Sequence, residues 1–323
     1  MYTQLSNETI SELLTAHYAV GELAYAVGIA QGVENSNYLL GLDAQGAESK
    51  AILTLYEKRM DPAQLPFFLG LMQHVAQAGV QCPLPIARRD GGLISEVSGK
   101  PAALVSFLSG KSRTVLKPEH CAEVGAALAR LHGATAGFDG HRPNALSLDG
   151  WQALSATIAP RLDEIQHGLR DLVQDELAYL EPHWSCVHGL PHGIIHADLF
   201  PDNVFFTGDA VSGIIDFYFA CDDALAYDLA ITLNAWCFEG RECNLSKARL
   251  LVKRYTQHRP LSDAERQAFP LLLRGAALRF LLTRAYDLLH HEKSALVTPK
   301  DPLEYVAKLK FHRGNADAAF CGL

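Results

Sequence analysis

Apolar positions alternate at strand spacing through much of the first hundred residues, then recur at helical spacing over most of the remainder. Leu23 to Ala30 and Ser36 to Leu42 read as strands, separated by the turn-rich Gln31-Gly32-Val33-Glu34-Asn35. Ala51 to Tyr56, rich in β-formers, predicts a third strand. Pro62 stands near the start of a helix whose apolar positions Leu65, Phe68, Leu69, Met72 and Val75 keep helical spacing, and Gly79 lies just past its end. Short strands at Leu84–Ala87 and Leu93–Val97 flank the turn Arg89-Asp90-Gly91-Gly92, and Ala102 to Leu108 predicts one more.

Beyond that point Pro118 to Thr135 carries Cys121, Val124, Gly125, Leu128 and Leu131 on one helical face. Weaker helical patterns cover 150–160 and 161–180. A compact β-element fills 194–217, in which Val204-Phe205-Phe206 and Gly213-Ile214-Ile215 are joined by Thr207-Gly208-Asp209. Helices are predicted again over 224–238, 246–257, 262–290 and 302–315. The pattern therefore predicts an α+β fold. A small β-rich lobe with one helix spans 1–107, and a larger, mainly helical lobe spans 108–323.

Charge and cysteine usage narrow the function. A formal net charge of -8 argues against nucleic acid as partner, since phosphate contacts need clustered Lys and Arg. A nucleotide carried with magnesium remains compatible, because the metal brings its own positive charge. Seven scattered cysteines without a Cys-x-x-Cys pair suit a reducing compartment. The first residues lack the basic and apolar regions of a signal peptide, and Arg274 and Arg279 interrupt the longest apolar stretch. The expectation is a cytoplasmic protein with a small-molecule substrate and no membrane span.

The strongest chemical signal is Ile195-His196-Ala197-Asp198-Leu199-Phe200-Pro201-Asp202-Asn203. Phosphoryl transfer from ATP requires a group that orients the acceptor hydroxyl and groups that hold magnesium on the phosphates. In a His-x-Asp-x-x-x-x-Asn loop the Asp takes the first role and the Asn supplies an oxygen to the metal. His196, Asp198 and Asn203 have this spacing. Thirteen residues beyond Asn203, the apolar run Ile214-Ile215 ends in Asp216, placed to serve as the main magnesium ligand. Turn formation by Asp198 and Asp202 would explain the loop alone, but not a carboxylate at that strand end.

His188, His192 and His196 recur at four-residue intervals, which on a helix would align them for zinc. Gly189, Pro191 and Gly193 lie between them, and proline inside a helix costs ~3 kcal/mol. The helix that this face needs does not form. His196 is better read as an orienting residue bonded to loop backbone. Neither a Gly-x-x-x-x-Gly-Lys-Ser/Thr nor a Gly-x-Gly-x-x-Gly sequence is present, and the connection around Gly32 reads equally well as phosphate cover or plain hairpin.

With its isolated Asp216 after the loop, the chain resembles the aminoglycoside-phosphotransferase branch of the protein-kinase-like folds. More narrowly it is similar to the kinase-fold homoserine kinases of bacteria. Gly32-Val33-Glu34-Asn35-Ser36-Asn37-Tyr38, Leu53-Thr54-Leu55-Tyr56-Glu57-Lys58-Arg59, Arg142-Pro143-Asn144-Ala145-Leu146-Ser147 and Ile215-Asp216-Phe217-Tyr218 carry the likeness. So do Leu233-Asn234-Ala235-Trp236-Cys237-Phe238 and Arg279-Phe280-Leu281-Leu282-Thr283-Arg284, so it runs over nearly the whole chain. The resemblance implies ATP and Mg2+, with L-homoserine phosphorylated on its side-chain hydroxyl. It implies Asp198 as base with His196 beside it, and Asn203 and Asp216 on the metal. It also implies nucleotide contacts from Gly32, Asn35, Ser36, Asn37 and Lys58, and from the hinge residues Ser106, Phe107 and Leu108. Kinases of choline, methylthioribose or aminoglycosides, and a non-catalytic nucleotide-binding regulator, are the alternatives.

Two positions depart from the kinase pattern. The third-strand lysine falls at Thr54; Lys58, further along the same face, either reaches inward in its place or forms a solvated strand end with Arg59, and the helix over 62–78 has no Glu to pair with such a lysine. For the acceptor, Asp222 and Asp223 are candidates for an ammonium, and Arg279 and Arg284 for a carboxylate, where a guanidinium fork fits well. Asp228 is expected to brace the loop or cap its helix.

Overall fold

The computed structural model describes residues 3–29, 35–57, 61–291 and 299–323. Gly32 and Lys58 therefore lie outside the described residues, and with them both readings of the lysine at position 58. The fold is α+β. Its contacts divide the chain into one unit of Met1–Gly110, Phe138–Gly140 and Ser212–Tyr218 and a second of Lys111–Gly137, His141–Val211 and Phe219–Leu323.

The first unit is a five-stranded antiparallel sheet of order β1-β2-β3-β5-β4, from β1 (Glu22–Ile29), β2 (Asn35–Ala44), β3 (Ala47–Tyr56), β4 (Ser95–Val97) and β5 (Lys100–Ser106). Helix α1 (Asn7–His17), which the sequence pattern did not predict, covers it. Ser6 caps α1 by accepting from Thr9 N at 3.1 Å, and Ile10, Leu13 and Leu14 join Leu40, Leu53, Leu55 and Leu104 in one core. Each such leucine contributes ~1.5–3 kcal/mol by leaving water. Helix α2 (Leu65–Gln77) buries Phe68, Leu69, Met72 and Val75, the face read from the sequence. The strand expected at 84–87 is instead a loop touching β5 through one bridge, Pro85 to Val105. Pro83 and Pro85 have no N–H to give a ladder.

The second unit is mainly helical. Helix α3 (Pro118–Ala134) packs on α8 (Leu245–His258) so closely that a Cβ at Gly125 would meet the Leu251 carbonyl oxygen at 2.2 Å. Between them in sequence come α4 (Leu148–Ile158), α5 (Leu162–Ile165), α6 (Leu169–His183) and α7 (Leu225–Trp236). The single helix expected over 161–180 is broken because Gly168 takes a left-handed φ of 78° at the start of α6. The 27-residue α9 (Asp263–Leu289) starts in a capping box between Ser262 and Glu265, and α10 (Leu303–Gly314) follows.

Four short strands lie around the His196–Asn203 segment. β6 (His192–Ile195) pairs with β9 (Cys221–Ala224), and β7 (Val204–Thr207) leads by a turn into β8 (Ala210–Ile214). The β6–β9 register sets Ile195 opposite Cys221, so the loop at His196 leaves the sheet beside the segment that carries Asp222 and Asp223.

Candidate active site

The loop after β6 is held by its backbone. His196 N and Ala197 N donate to the two carboxylate oxygens of Asp228, on α7, at 2.7 and 2.9 Å. Ala197 has φ 62°, a conformation that costs an L-residue ~1–2 kcal/mol and persists where surroundings enforce it. Asp228 is fully buried and braces the loop, as its sequence position suggested. Burial pushes its carboxyl up, yet hydrogen bonds from His132 and from His196 N–H outweigh this and hold it below the usual carboxylate range. His132 continues inward. Its Nδ1 lies 2.7 Å from the Tyr255 hydroxyl, which accepts from Arg259, and Arg259 pairs with Glu265 at 2.7 Å.

Within the loop, Asp198 N donates to His196 Nδ1 at 3.2 Å, the orienting contact expected of that histidine. Asn203 Nδ2 donates to Asp198 O at 2.8 Å and to Asp198 Oδ2 at 3.1 Å. This spends the amide nitrogen on Asp198 and leaves Oδ1 as the side chain's donor atom for a cation. Trp236 Nε1 donates to Leu199 O at 2.8 Å and fixes the middle of the loop against α7.

Asp216 belongs to the first unit and has φ 67°, again left-handed. Beside it, in the same unit, the Tyr56 and Tyr218 hydroxyls lie 3.0 Å apart. Burial, followed by smaller effects that include the Asp216 charge, pushes Tyr56 up to about 12, and burial raises Tyr218 as well. Thr54, at the position where kinases carry lysine, donates its hydroxyl to Asn37 Oδ1 at 2.8 Å. Among the described residues of this unit, Lys100 pairs with Glu57 and Arg88 with Asp90.

The expected nucleotide residues divide by their commitments. Ser36 is fully buried, gives its hydroxyl to Glu57 at 2.7 Å and accepts from Thr3 N. Asn35 Oδ1 is buried with no hydrogen-bond partner. Ser106 is tied to Leu84 through both its amide and its hydroxyl, at 2.9 Å each. Phe107 and Leu108 lie beyond the β3–β5 ladder, which ends at Ser106.

The acceptor candidates also separate. Asp222 Oδ2 accepts from Arg142 N at 2.7 Å and lies 2.8 Å from His141 Nδ1. Asp223 accepts from Asn144 Nδ2 and Ala224 N, both at 2.6 Å. Arg284 is paired with Glu304 at 2.6 Å and donates to Asp301 O. Arg279 is 1% exposed, and its Nε and Nη1 have no partner. Reading from sequence missed Arg142 and Asn144, which bracket Asp222 and Asp223, and missed His132 behind Asp228. The signal for His132 was a polar residue on the otherwise apolar face of α3.

Hard oxygen donors, few in number and completed by phosphates, are what magnesium requires, and Asn203 Oδ1 and the Asp216 carboxylate are of that kind. Among the described residues no cluster of three or more His, Cys, Asp or Glu forms a self-sufficient metal site. No described helix is long and apolar enough to cross a membrane.

A family model described as the phosphotransferase enzyme family matches residues 26–268. The homoserine kinase of Agrobacterium fabrum is 53% identical over 324 residues, covering 100% of this chain and 98% of that protein. The homoserine kinase of Rhodospirillum rubrum is 53% identical as well, covering 100% and 99%. Among solved structures, an amicoumacin kinase complexed with AMP-PNP and Ca2+ aligns with a TM-score of 0.67 at 16% identity, covering 96% of this chain and 93% of that one. The ethanolamine kinase of Plasmodium vivax aligns at 0.65 and 14%, covering 99% and 97%. At such identities the two structures speak for the fold alone.

Proposed function

The chain belongs to the phosphotransferase enzyme family, and from that premise we propose that it transfers the γ-phosphoryl group of ATP to the side-chain hydroxyl of L-homoserine. The products are O-phospho-L-homoserine and ADP, on the route to threonine, and the reaction runs in the cytoplasm. Full-length likeness to curated homoserine kinases supports this acceptor over choline, methylthioribose or an aminoglycoside. The observation that carries the reading is the clamp of Asn203 Nδ2 on Asp198 O and Oδ2, which aims one carboxylate and frees one amide oxygen.

In this mechanism Asp198 accepts the proton of the acceptor hydroxyl as its oxygen bonds to the γ-phosphorus and the bond to ADP breaks. His196 fixes the backbone before Asp198, and Asp228 holds the turn that presents it. Asn203 and Asp216 are the residues that would hold magnesium, and that ion supplies charge neutralisation on the phosphates. Asn35 and Asn37, with the backbone of Phe107 and Leu108, serve the nucleotide. A preorganised carboxylate of this sort contributes about 10²–10⁴ in rate.

An ADP-release assay over L-homoserine, choline, methylthioribose and an aminoglycoside tests the assignment, with the phosphorylated product identified by mass. Turnover is expected with L-homoserine. The acceptor assignment fails if homoserine stays at background while another alcohol is phosphorylated.

A further inference from the structure

Arg279 presents a conflict that the fold alone leaves open. A guanidinium is among the costliest groups to bury, and native proteins pair such groups or leave them wet. Arg279 is fully embedded in α9, yet among the described residues it forms no ion pair, and its Nε and Nη1 have no hydrogen-bond partner. Its charge lies 4.7 Å from the Phe280 ring centroid and 5.8 Å from that of Phe219, and aromatic faces offset only part of the lost hydration.

Two further groups nearby are in the same condition. The hydroxyls of Tyr227 and Tyr305 are buried and meet no partner at full hydrogen-bonding geometry, although the Arg279 guanidinium lies close enough to the Tyr227 hydroxyl to act on it as a donor. Both tyrosines are pushed upward by burial, and in each the Arg279 charge pulls the other way, which places both within its reach. Tyr305 also feels the charge of Asp198. Arg142 approaches from the other side. Burial lowers its pKa and the Arg279 charge lowers it further, while its Nη1 donates to Ala220 O at 3.0 Å. Asp223 is near enough to act on Tyr227, but its carboxylate accepts from Asn144 Nδ2 and Ala224 N.

We propose that Arg279, flanked by Tyr227 and Arg142, receives the carboxylate of the acceptor and thereby restricts the enzyme to small alcohols that carry one. The inference rests on the homoserine reading and adds which group of the acceptor is recognised and by what. The guanidinium offers a carboxylate a charge-assisted N–H from Nε or from Nη1, and a tyrosine hydroxyl adds a further donor. Because the groups are enclosed, the missing partner must be small enough to be enveloped with them. Arg284, by contrast, already has its carboxylate in Glu304.

The test compares kcat/KM for L-homoserine with that for L-homoserinol, in which a hydroxymethyl group replaces the carboxylate, in the parent, Arg279→Met and Tyr227→Phe. Losing hydrogen bonds to a charged group should lower the homoserine-to-homoserinol ratio about 10- to 100-fold in Arg279→Met and by a smaller factor in Tyr227→Phe. Should Arg279→Met fail to fold, Tyr227→Phe, which removes one oxygen only, decides the matter by the same ratio. Equal losses on both acceptors, or an unchanged ratio, overturn the carboxylate assignment while leaving homoserine phosphorylation standing. A parent enzyme that turns over neither acceptor sinks both readings together.

Discussion

His132 Nε2 lies 3.0 Å from Asp228 Oδ2, with both side chains fully buried, and the same carboxylate accepts the two backbone amides that shape the loop at His196 and Ala197. One acidic group therefore joins α3, α7 and the loop. It is a hard group to replace, because each of its oxygens already accepts a backbone N–H.

Asp228→Asn keeps the volume but turns one acceptor into a donor facing an N–H. Breaking a buried charged network of this kind costs ~3–5 kcal/mol. The variant should unfold at lower urea, and its folded fraction should lose kcat by more than tenfold with little change in KM for ATP. Stability and kcat measured on the same preparation check this; normal kcat per folded molecule would deny the carboxylate a positioning role.

How much of this was visible beforehand depended on the kind of signal. The Asp198–Asn203 spacing is local, so the loop could be read from a nine-residue string, and in the fold the Asn203 amide bonds to Asp198 O and Oδ2. α2, α3 and α9 carry long periodic faces and were read with boundaries close to those observed. α1 was missed although Ser6, Ile10, Leu13 and Leu14 give both cap and face, because an 11-residue helix offers few repeats. β6 and β9 escaped notice since each has four residues and pairs across the chain. Nothing local marks Arg279 as unpaired and Arg284 as paired. That difference is set by Glu304, twenty residues past Arg284, on another helix.

Acid should weaken the fold through His312. Its Nε2 lies 2.6 Å from Asn234 Oδ1 and its Nδ1 is buried without a partner. Burial, with the charges of Lys308 and Arg274, lowers its pKa to about 3. The unfolded chain then takes up the proton first, so stability falls as pH drops from about 6.5 toward about 3. His312→Gln keeps a donor for Asn234 and removes the titration. Urea midpoints between pH 7 and pH 4 should show a shallower decline in the variant, and parallel curves would exclude His312 as a source.

Glu176 is fully buried and receives Arg274 Nε and Nη2 at 2.6 and 2.7 Å. Glu176→Ala leaves Arg274 without its carboxylate and should destabilise the second unit by ~3–5 kcal/mol. KM for homoserine should hold in the folded fraction. Differential scanning calorimetry would show the fall in Tm, and an unchanged Tm would mean that water replaces the pair.

Gly125→Ala tests the α3–α8 contact. The added methyl would meet backbone at 2.2 Å, and backbone cannot rotate aside as a side chain can. Overpacking of this sort costs ~1–3 kcal/mol. A lower Tm with intact ATP affinity is expected, and a gain in Tm would show that the two helices part without penalty.

Asn203→Asp reaches the chemistry itself. The parent amide donates to Asp198 Oδ2 at 3.1 Å and thereby favours the ionised carboxylate. Its replacement removes that donor and sets a second negative charge beside the first, so the two carboxylates titrate as a pair and one proton is held more tightly. Because only ionised Asp198 can take the acceptor proton, the acid limb of the kcat/KM profile should move to higher pH in the variant. Added magnesium should oppose the shift by neutralising part of the pair's charge. Asp198→Asn provides the companion measurement, with kcat falling about 10²–10⁴-fold while ATP still binds. An acid limb that stays in place in Asn203→Asp would remove Asp198 from the role of base, even if Asp198→Asn were inactive.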